Sequence, residues 1–356
     1  MRGERGSSRV AESIEYCYEA GWSDGLPVVP PTQHLVDQML GDRAGRRHEP
    51  IATLRPRRGV ATFEKVAANA VMAGCLPSYF PVVEAAIRAV AERDFWLEDM
   101  VTAVDPTSPL LLVSGPIATE IGMNGDAGAL GAGCRANATV GRALNLCLRN
   151  IAGFRPIRQS DEHALDGCTI GHPGKFTYCY TENVAASPWP ALSLDRGFGP
   201  EHSTVTVYAA DAPLCLVDMS RTEPELILRT IAESLAIPGT TNAFHQQDLW
   251  LVVSPEHANL IADGGWSKAD VQHHLFEHAR IPREQLLDRG LYGLMDSVMR
   301  PAWLDDAEPG EIIPIVDSPE RVVVTVAGAP YGGYTSVCFG FGASVTRPIA
   351  HSKEEE

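Results

Sequence analysis

The stretch Leu110-Leu-Leu-Val-Ser-Gly-Pro116 decides the fold class, because a short apolar run that stops at Gly-Pro is typical of a buried strand. A glycine-rich loop follows, and from Arg135 to about Asn150 the apolar residues return at helical spacing. The chain therefore contains a strand–loop–helix unit. We predict an α/β or α+β fold, with a mixed sheet and helices packed around it.

Other segments extend this alternation of strands and helices. Strands are predicted at 176–180, 204–209, 249–253 and 322–326, and helices at 9–20, 33–41, 62–73 and 77–93. Thr222-Glu-Pro-Glu225 is typical of a capping box, and Ser254-Pro255 marks a helix start directly after a strand.

The chain length permits one large domain or two intimate ones. We divide it into a disordered N-terminus at 1–9, an N-terminal α/β part at 10–152, a C-terminal α/β part at 153–350 and a tail at 351–356. The seam is placed in the Gly- and Pro-containing stretch that begins at Gly153.

Composition excludes several classes of protein. A net charge of -16 and a pI near 5.1 argue against binding to nucleic acid, which depends on clustered Lys and Arg. The chain has no apolar run long enough to span a membrane and no apolar N-terminal signal, so we expect a cytoplasmic protein that binds no membrane. The eight cysteines include no C-x-x-C pair, and we predict no metal and no cofactor.

The glycine-rich loop before the helix at Arg135 is the first candidate site. Free N–H groups at a helix start favour anions, and a guanidinium can grip a carboxylate with two donors. We therefore expect a small anionic molecule to bind here. The predicted substrate-binding residues are Asn124, Gly131, Gly133, Arg135, Asn137 and Arg142. Gly131-Ala-Gly133-Cys-Arg-Ala136 also matches G-x-G-x-x-A, although a dinucleotide fingerprint should follow its strand directly.

Cys75 is the second candidate, because it lies between two predicted helices and just before Pro77. A thiol at a helix N-terminus has a lowered pKa, which suits a nucleophile; a small buried side chain is the alternative interpretation. In the segment Gly171-His-Pro-Gly-Lys175 and the strand after it, His172, Lys175 and Glu182 are the candidate acid–base and charged groups.

His274-Leu-Phe-Glu277-His278 fits the H-x-x-E-H pattern of some zinc hydrolases. The sequence does not identify a third ligand, and the neighbouring residues His273, Lys268 and Asp270 are typical of a polar helix face. We therefore predict that this segment holds no metal.

Several separated phrases stand out, at 21–32, 72–77, 135–143 and 171–175, at 182–183 with 187–189, and at 266–270 with 276–280. Together they resemble a bacterial family that is associated with UGSC or CGSC (selenocysteine or cysteine) proteins, either as neighbours or as a fused segment. The resemblance covers roughly residues 10 to 350 and implies that the loop and Cys75 lie in family motifs, without implying an activity. No C-G-S-C occurs in this chain, so a second thiol or selenol would come from another subunit.

Two functions follow from these residues. The first is a small-molecule enzyme of lyase, hydrolase or thiol-transfer type that binds an anion at Arg135 and uses Cys75, His172, Lys175 and Glu182. The second is a non-catalytic binding or scaffold subunit of a separate thiol or selenol protein. A metal-dependent hydrolase is a lesser alternative, and in each case a homo-oligomer is expected.

Overall fold

The structure is a computed structural model that describes residues 2–157, 161–162, 164–220, 223–288 and 300–350, with side chains from residue 9 onward. Its helices are α1 (Arg2–Glu19), α2 (Gln33–Leu40), α3 (Phe63–Ala73), α4 (Phe80–Val90), α5 (Leu97–Thr102), α6 (Pro116–Glu120), α7 (Arg135–Cys147), α8 (Leu192–Asp195), α9 (Pro224–Leu235), α10 (Thr241–His245), α11 (Pro255–Asp263), α12 (Lys268–His278), α13 (Arg283–Leu287) and α14 (Ala302–Asp305).

The strands are β1 (Pro50–Leu54), β2 (Gly59–Thr62), β3 (Ser108–Ser114), β4 (Cys179–Tyr180), β5 (Thr204–Ala210), β6 (Leu214–Val217), β7 (Leu249–Val253), β8 (Arg280–Pro282), β9 (Ile312–Pro314), β10 (Val322–Val326), β11 (Tyr334–Cys338) and β12 (Gly340–Pro348). They form a first four-stranded sheet in the order β12-β5-β3-β4 and a second in the order β10-β7-β11-β6. Both sheets are mixed, since β3–β4 and β7–β10 are parallel pairs and the remaining pairs are antiparallel. β1 pairs with β2 and β8 with β9 in two small antiparallel ladders.

The two large sheets pack face to face between two layers of helices. Along β3, Leu110 and Leu112 point into the contact between the sheets, whereas Leu111 and Val113 point to the layer that contains α3, α4 and α7. Along β7, Trp250 and Val252 alternate in the same way with residues that face α9, α11 and α12. Because neighbouring side chains of a strand point to opposite faces, continuous apolar strands suit this helix–sheet–sheet–helix arrangement.

The predicted α/β or α+β class with mixed sheets is confirmed. Local sequence signals correctly predicted the ends of several helices. The Thr32 hydroxyl caps α2, which Gly41 ends at a positive φ of 53°. Ser254 caps α11 with Pro255 in its first turn, as the sequence predicts.

Other boundaries differ from the prediction. The helix expected at 77–93 is a 3₁₀ turn at Pro77–Tyr79 followed by α4, and the strand expected at 176–180 is paired only at Cys179–Tyr180. Helix α1 begins at Arg2 and so includes residues 2–9, which the sequence analysis assigned to a disordered N-terminus. Thr222 of the predicted capping box and the tail at 351–356 lie outside the described residues.

The first sheet combines distant parts of the chain, because β4, β5 and β12 all come after residue 153. A division at that point therefore does not separate the two sheets, and the number of domains stays a prediction. Within the described ranges, none of the helices has the length and apolar character required to cross a membrane.

Candidate functional site

The glycine-rich loop between α6 and α7 is fastened by Asn137, which is almost fully buried. Its side-chain oxygen accepts from the Asn124 N–H at 3.0 Å, and its amide nitrogen donates to the carbonyls of Asn124 and Ala129 at 2.8 and 3.0 Å. The Asn124 side chain donates to the Ala127 carbonyl and accepts from the Asp126 N–H within the same loop. Both asparagines, which the sequence suggested for substrate binding, thus hold the loop in its conformation.

Gly131 and Gly133, the two glycines of this loop that were predicted to bind substrate, determine its backbone conformation. Gly131 donates its N–H to the Gly128 carbonyl at 2.7 Å in a tight turn. Gly133 has a φ of 122°, which side-chain-bearing residues rarely adopt. The backbone angle alone therefore explains the glycine at position 133, without a ligand.

Arg135, the first residue of α7, uses its guanidinium on the protein itself. Its Nε and Nη2 atoms donate to the Gly74 carbonyl at 3.0 and 2.9 Å, although the residue is exposed. Gly74 ends α3 in a left-handed conformation. The paired donors predicted to hold an anionic substrate therefore join the end of α3 to the start of α7.

Arg142 is paired in a similar way. Its Nε and Nη2 atoms each lie 2.8 Å from a carboxylate oxygen of Asp24, and Nη2 also bonds the carbonyls of Leu26 and Pro27. The two side chains are only 14% and 9% exposed. This bidentate pair ties the proline-rich segment that follows α1 to α7.

Cys75 is buried in the contact between α3 and α7, where its Sγ donates to the Thr139 carbonyl at 3.2 Å. Burial raises the pKa of the Cys75 thiol to about 12, against the opposing effects of the Thr139 hydrogen bond and the charges of Arg135 and Arg142. The prediction of a lowered pKa is therefore wrong. The chain after Cys75 forms only a short 3₁₀ turn before α4, and the dipole of so short a turn does not offset the loss of solvent.

The thiol at a helix N-terminus is instead that of Cys134, which occupies the position just before α7. Its backbone is extended, its side chain is partly exposed, and its Sγ donates to the Gly122 carbonyl at 3.2 Å. Sequence reasoning passed over this residue because it lies inside the glycine-rich motif. Its place directly before Arg135, the predicted helix start, was the signal that could have identified it.

The segment around His172 forms a tight turn at the start of a 3₁₀ helix. The His172 Nδ1 atom accepts from the Gly174 N–H at 3.1 Å, which places the ring proton on Nε2. Burial lowers the pKa of His172, the nearby Lys175 charge lowers it further, and the Ala210 carbonyl opposes them. Within the described chain, Nε2 finds no well-aligned hydrogen-bond partner.

The charge of Lys175 is paired within the protein. Its Nζ lies 2.9 Å from a carboxylate oxygen of the buried Asp166 and 4.2 Å from the centre of the Phe154 ring. The charge of Lys175 therefore stabilises the chain between α7 and β4.

Glu182 is a buried carboxyl group that is an unusually weak acid. Its Oε2 accepts from the Leu192 N–H at 2.9 Å, and the Val326 backbone also donates to the carboxylate. Burial nevertheless raises the pKa of Glu182 to about 7, because these bonds and the charge of Lys268 compensate for only part of the lost hydration. Such a pKa suits an acid–base group near neutral pH.

The raised pKa of Glu182 predicts a specific pH dependence of stability. Because the folded protein binds this proton more tightly than the unfolded chain, the Glu182 contribution to the free energy of unfolding falls as pH rises from about 4.5 to about 7. The full change is on the order of 3 kcal/mol. Urea unfolding at pH 4.5 and 7.5 should show that Glu182→Gln gains stability relative to the wild type as pH rises. Equal pH profiles of the two proteins would contradict the assigned pKa.

The surface has several cavities, including two of about 450 and 420 Å³. A smaller one, of about 210 Å³, is of interest for its position, because it lies at the carboxyl ends of the parallel strands β7 and β10. Open α/β sheets bind ligands at this end of their strands. The walls are largely apolar, with two serine hydroxyls and two tyrosines, and come from the glycine-rich loop, β7, β11 and the loop after β10. The lining residues are Ala129, Leu130, Val252, Ser254, Ala327, Gly328, Ala329, Tyr331, Gly332, Tyr334 and Ser336.

Glu182 is connected to the wall of this cavity through the backbone of β10. Its carboxylate bonds Val326, and the next residue, Ala327, belongs to the cavity wall. Gly125 packs on the Glu182 backbone so closely that a Cβ atom there would lie 2.5 Å from the Glu182 carbonyl oxygen. The Gly125 carbonyl also accepts from the Gly328 N–H at 2.9 Å, which joins the glycine-rich loop to the loop after β10.

No family model and no curated protein matches the chain. The assignment of the site therefore depends on the geometry of the molecule itself.

The H-x-x-E-H segment lies on α12, where the rings of His274 and His278 stack with centres 4.1 Å apart. The His278 Nδ1 atom contacts the His274 carbonyl at 2.9 Å. Over the part of the chain that the structure describes, no group of three or more His, Cys, Asp or Glu residues is arranged to hold a metal ion.

The structure divides the predicted site residues into three locations. Cys75, Arg135 and Arg142 meet where α3 contacts α7, and the two arginines both act on the pKa of Cys75. His172 and Lys175 lie together in the turn before β4. Glu182 bonds Val326, next to the wall of the cavity that the glycine-rich loop borders through Ala129 and Leu130.

Proposed function

We propose that the protein is an enzyme that acts on a small molecule bound in the cavity at the ends of β7 and β10, with Glu182 as its acid–base group. The observation that carries this proposal is a buried carboxyl group with a pKa of about 7 that bonds Val326, the residue before Ala327 of the cavity wall. A general base is most effective when its pKa lies near the working pH.

The lining indicates the kind of substrate. No charged side chain lines the cavity among the described residues, whereas the hydroxyls of Ser254 and Ser336 and the two tyrosines offer hydrogen bonds. We therefore propose a small, partly apolar substrate with one or two hydrogen-bonding groups. Arg135 and Arg142, on which the expectation of an anionic substrate depended, are already bonded to Gly74 and Asp24.

Other expectations from the sequence remain proposals. Membership of the bacterial family associated with UGSC or CGSC proteins rests on the sequence phrases alone. A cytoplasmic location, a homo-oligomer and a separate thiol or selenol subunit are likewise proposals from the sequence. A thiol-dependent step has less support, since Cys75 is buried and strongly held in its protonated form.

Turnover should depend on both the cavity and the buried carboxyl. The full chain would be incubated with small-molecule extracts of cells, and the compounds that disappear would be followed by mass spectrometry. Glu182→Gln should slow the consumption of any substrate by about 100-fold or more, because an amide cannot exchange the proton. Ala329→Phe should also block it by filling the cavity, since Ala329 lies in the wall and is partly exposed.

Ala11→Phe is the matched control, because Ala11 is an exposed residue of α1 and should leave turnover unchanged. Consumption that is equal in Ala329→Phe and the wild type would exclude this cavity as the site. A wild-type protein that consumes nothing would favour the scaffold function instead.

A further inference from the structure

A second cavity lies between the segment after α1, helix α3 and the end of α7. Its volume is about 420 Å³, within the range of small-molecule binding sites, and no described residue lines both this cavity and the proposed substrate cavity. One face of α3 forms a wall through Lys65, Ala68, Asn69 and Met72, which are three or four positions apart in the helix. We call it the α3 cavity.

The end of α7 departs from α-helical geometry where it lines the α3 cavity. Leu148–Ala152 form a π-helical turn, a rare conformation that is frequent at functional sites. The Asn150 side chain in this turn donates to the Trp22 carbonyl at 3.1 Å and to the Oδ1 of the buried Asn69 at 2.8 Å. All three residues line the cavity, so these bonds fix its walls before a ligand binds.

The charged side chains that line the α3 cavity are cationic. They are Lys65 and Arg155, and no carboxylate lines it in the part of the chain that the structure describes. Arg155 lies 3.3 Å from a carboxylate oxygen of Asp161. The Lys65 Nζ donates to the Val60 carbonyl at 3.0 Å and makes no ion pair with a described residue, which leaves two of its N–H donors for a ligand. The uncompensated charge of Lys65, in the first turn of α3, favours an anionic ligand, and the helix dipole acts in the same direction.

The rest of the cavity wall is largely apolar and includes an aromatic ring. Trp22 is 38% exposed, and its ring packs edge to face with that of Tyr16, with the centres 5.6 Å apart. Pro31 and Met72 are further apolar members of the lining. An exposed indole is a favourable surface for another aromatic ring, so a planar ring suits this part of the cavity.

We propose that the α3 cavity binds a small carboxylate that carries an aromatic ring, at a site distinct from the substrate cavity at the ends of β7 and β10. The ring packs against Trp22 and Pro31, and the carboxylate accepts charge-assisted hydrogen bonds from Lys65 and Arg155. The anionic ligand that the sequence suggested at the start of α7 thus binds beyond the other end of this helix. No covalent step is involved.

Sodium benzoate is the probe, with benzamide and sodium acetate at the same concentration as comparisons. Benzamide has the ring without the charge, and acetate has the carboxylate without the ring. The isotope-labelled full chain would be titrated at pH 7.5 and constant ionic strength. Benzoate should cause saturable shifts in the NMR signals of the Trp22 indole and the Asn150 side-chain amide, and both comparison compounds should bind more weakly.

Two variants test the contacts. Lys65→Met removes the charge and keeps the alkyl stem, so it should weaken benzoate binding by about 3- to 10-fold, the effect of a partly screened charge. Ala68→Phe should abolish saturable binding by filling the cavity, since Ala68 lies in the wall and is partly exposed. Arg229→Met is the matched control, because it removes a positive charge from an exposed position on α9 and should bind like the wild type.

The proposal is overturned if the benzoate shifts do not saturate, if benzamide or acetate binds as tightly as benzoate, or if either variant binds like the wild type. If Ala68→Phe does not fold, Lys65→Met decides alone. Ala329→Phe, which fills the substrate cavity, should retain benzoate binding, so failure of the proposed enzyme function and failure of this site give different results.

Discussion

Alkylation of the native protein by iodoacetamide at pH 7 is expected to modify Cys215 first and Cys75 among the last. Cys215 is exposed on β6, whereas Cys75 is buried and bonded to Thr139. A rise of the Cys75 pKa from 9.0 to about 12 lowers its thiolate population at neutral pH roughly 1,000-fold, and only the thiolate reacts. Restricted access to the sulfur slows the reaction further.

Peptide mapping by mass spectrometry after timed labelling would measure each rate. Cys215→Ser serves as the control that removes the fast site, and protein unfolded in urea gives the intrinsic rate of every thiol. If Cys75 in the native protein reacts as fast as it does in the unfolded chain, its burial and its raised pKa are both contradicted. That outcome would support Cys75 as a nucleophile, the function that the sequence suggested for it.

Replacement of Asp248 by alanine is expected to lower the free energy of unfolding by about 3 to 5 kcal/mol, the cost of breaking a buried ion pair from one side. The Asp248 side chain is only 5% exposed. It accepts from Arg321 at 3.0 Å and from both the backbone and the hydroxyl of Ser344 at 2.7 Å, and Arg196 lies 3.9 Å away. Ser344 belongs to the first sheet and Arg321 directly precedes β10 of the second, so this carboxylate joins the two sheets.

Urea denaturation of the full chain would give the size of the effect. Asp248→Asn keeps the volume but loses the charge and should be destabilised by a smaller amount. Asp263→Ala, at an exposed position, should stay within about 0.5 kcal/mol of the wild type. A loss below 1 kcal/mol in Asp248→Ala would show that this network does not hold the sheets together.

The sequence predicted those elements whose signals are local. The hydroxyl of Thr32 and the glycine at position 41 mark both ends of α2, and Ser254-Pro255 marks the start of α11. The apolar run at Leu110–Val113 correctly indicated a buried strand. These signals work because the groups involved are close in the chain and act on the same turn.

The candidate site was predicted less well, because its contacts join distant parts of the chain. The partner of Arg142 lies 118 positions away, and that of Arg135 lies 61 positions away. A free arginine and one that is already paired have the same sequence pattern. The pKa of Cys75 was misjudged for the same reason, since the buried thiol bonds the Thr139 carbonyl of α7, 64 positions away in the chain.

The place of β12 in the first sheet also bears on how the protein folds during synthesis. β5 lies between β3 and β12, so one edge of β5 stays unpaired until residues 340–348 leave the ribosome. The second sheet, with strands between 214 and 338, is translated before that edge is covered. An unpaired strand edge invites pairing with another chain, and contacts between distant residues form slowly. The nascent chain therefore carries this unpaired strand edge while residues 211–339 are translated, and this is the period in which a chaperone would protect it.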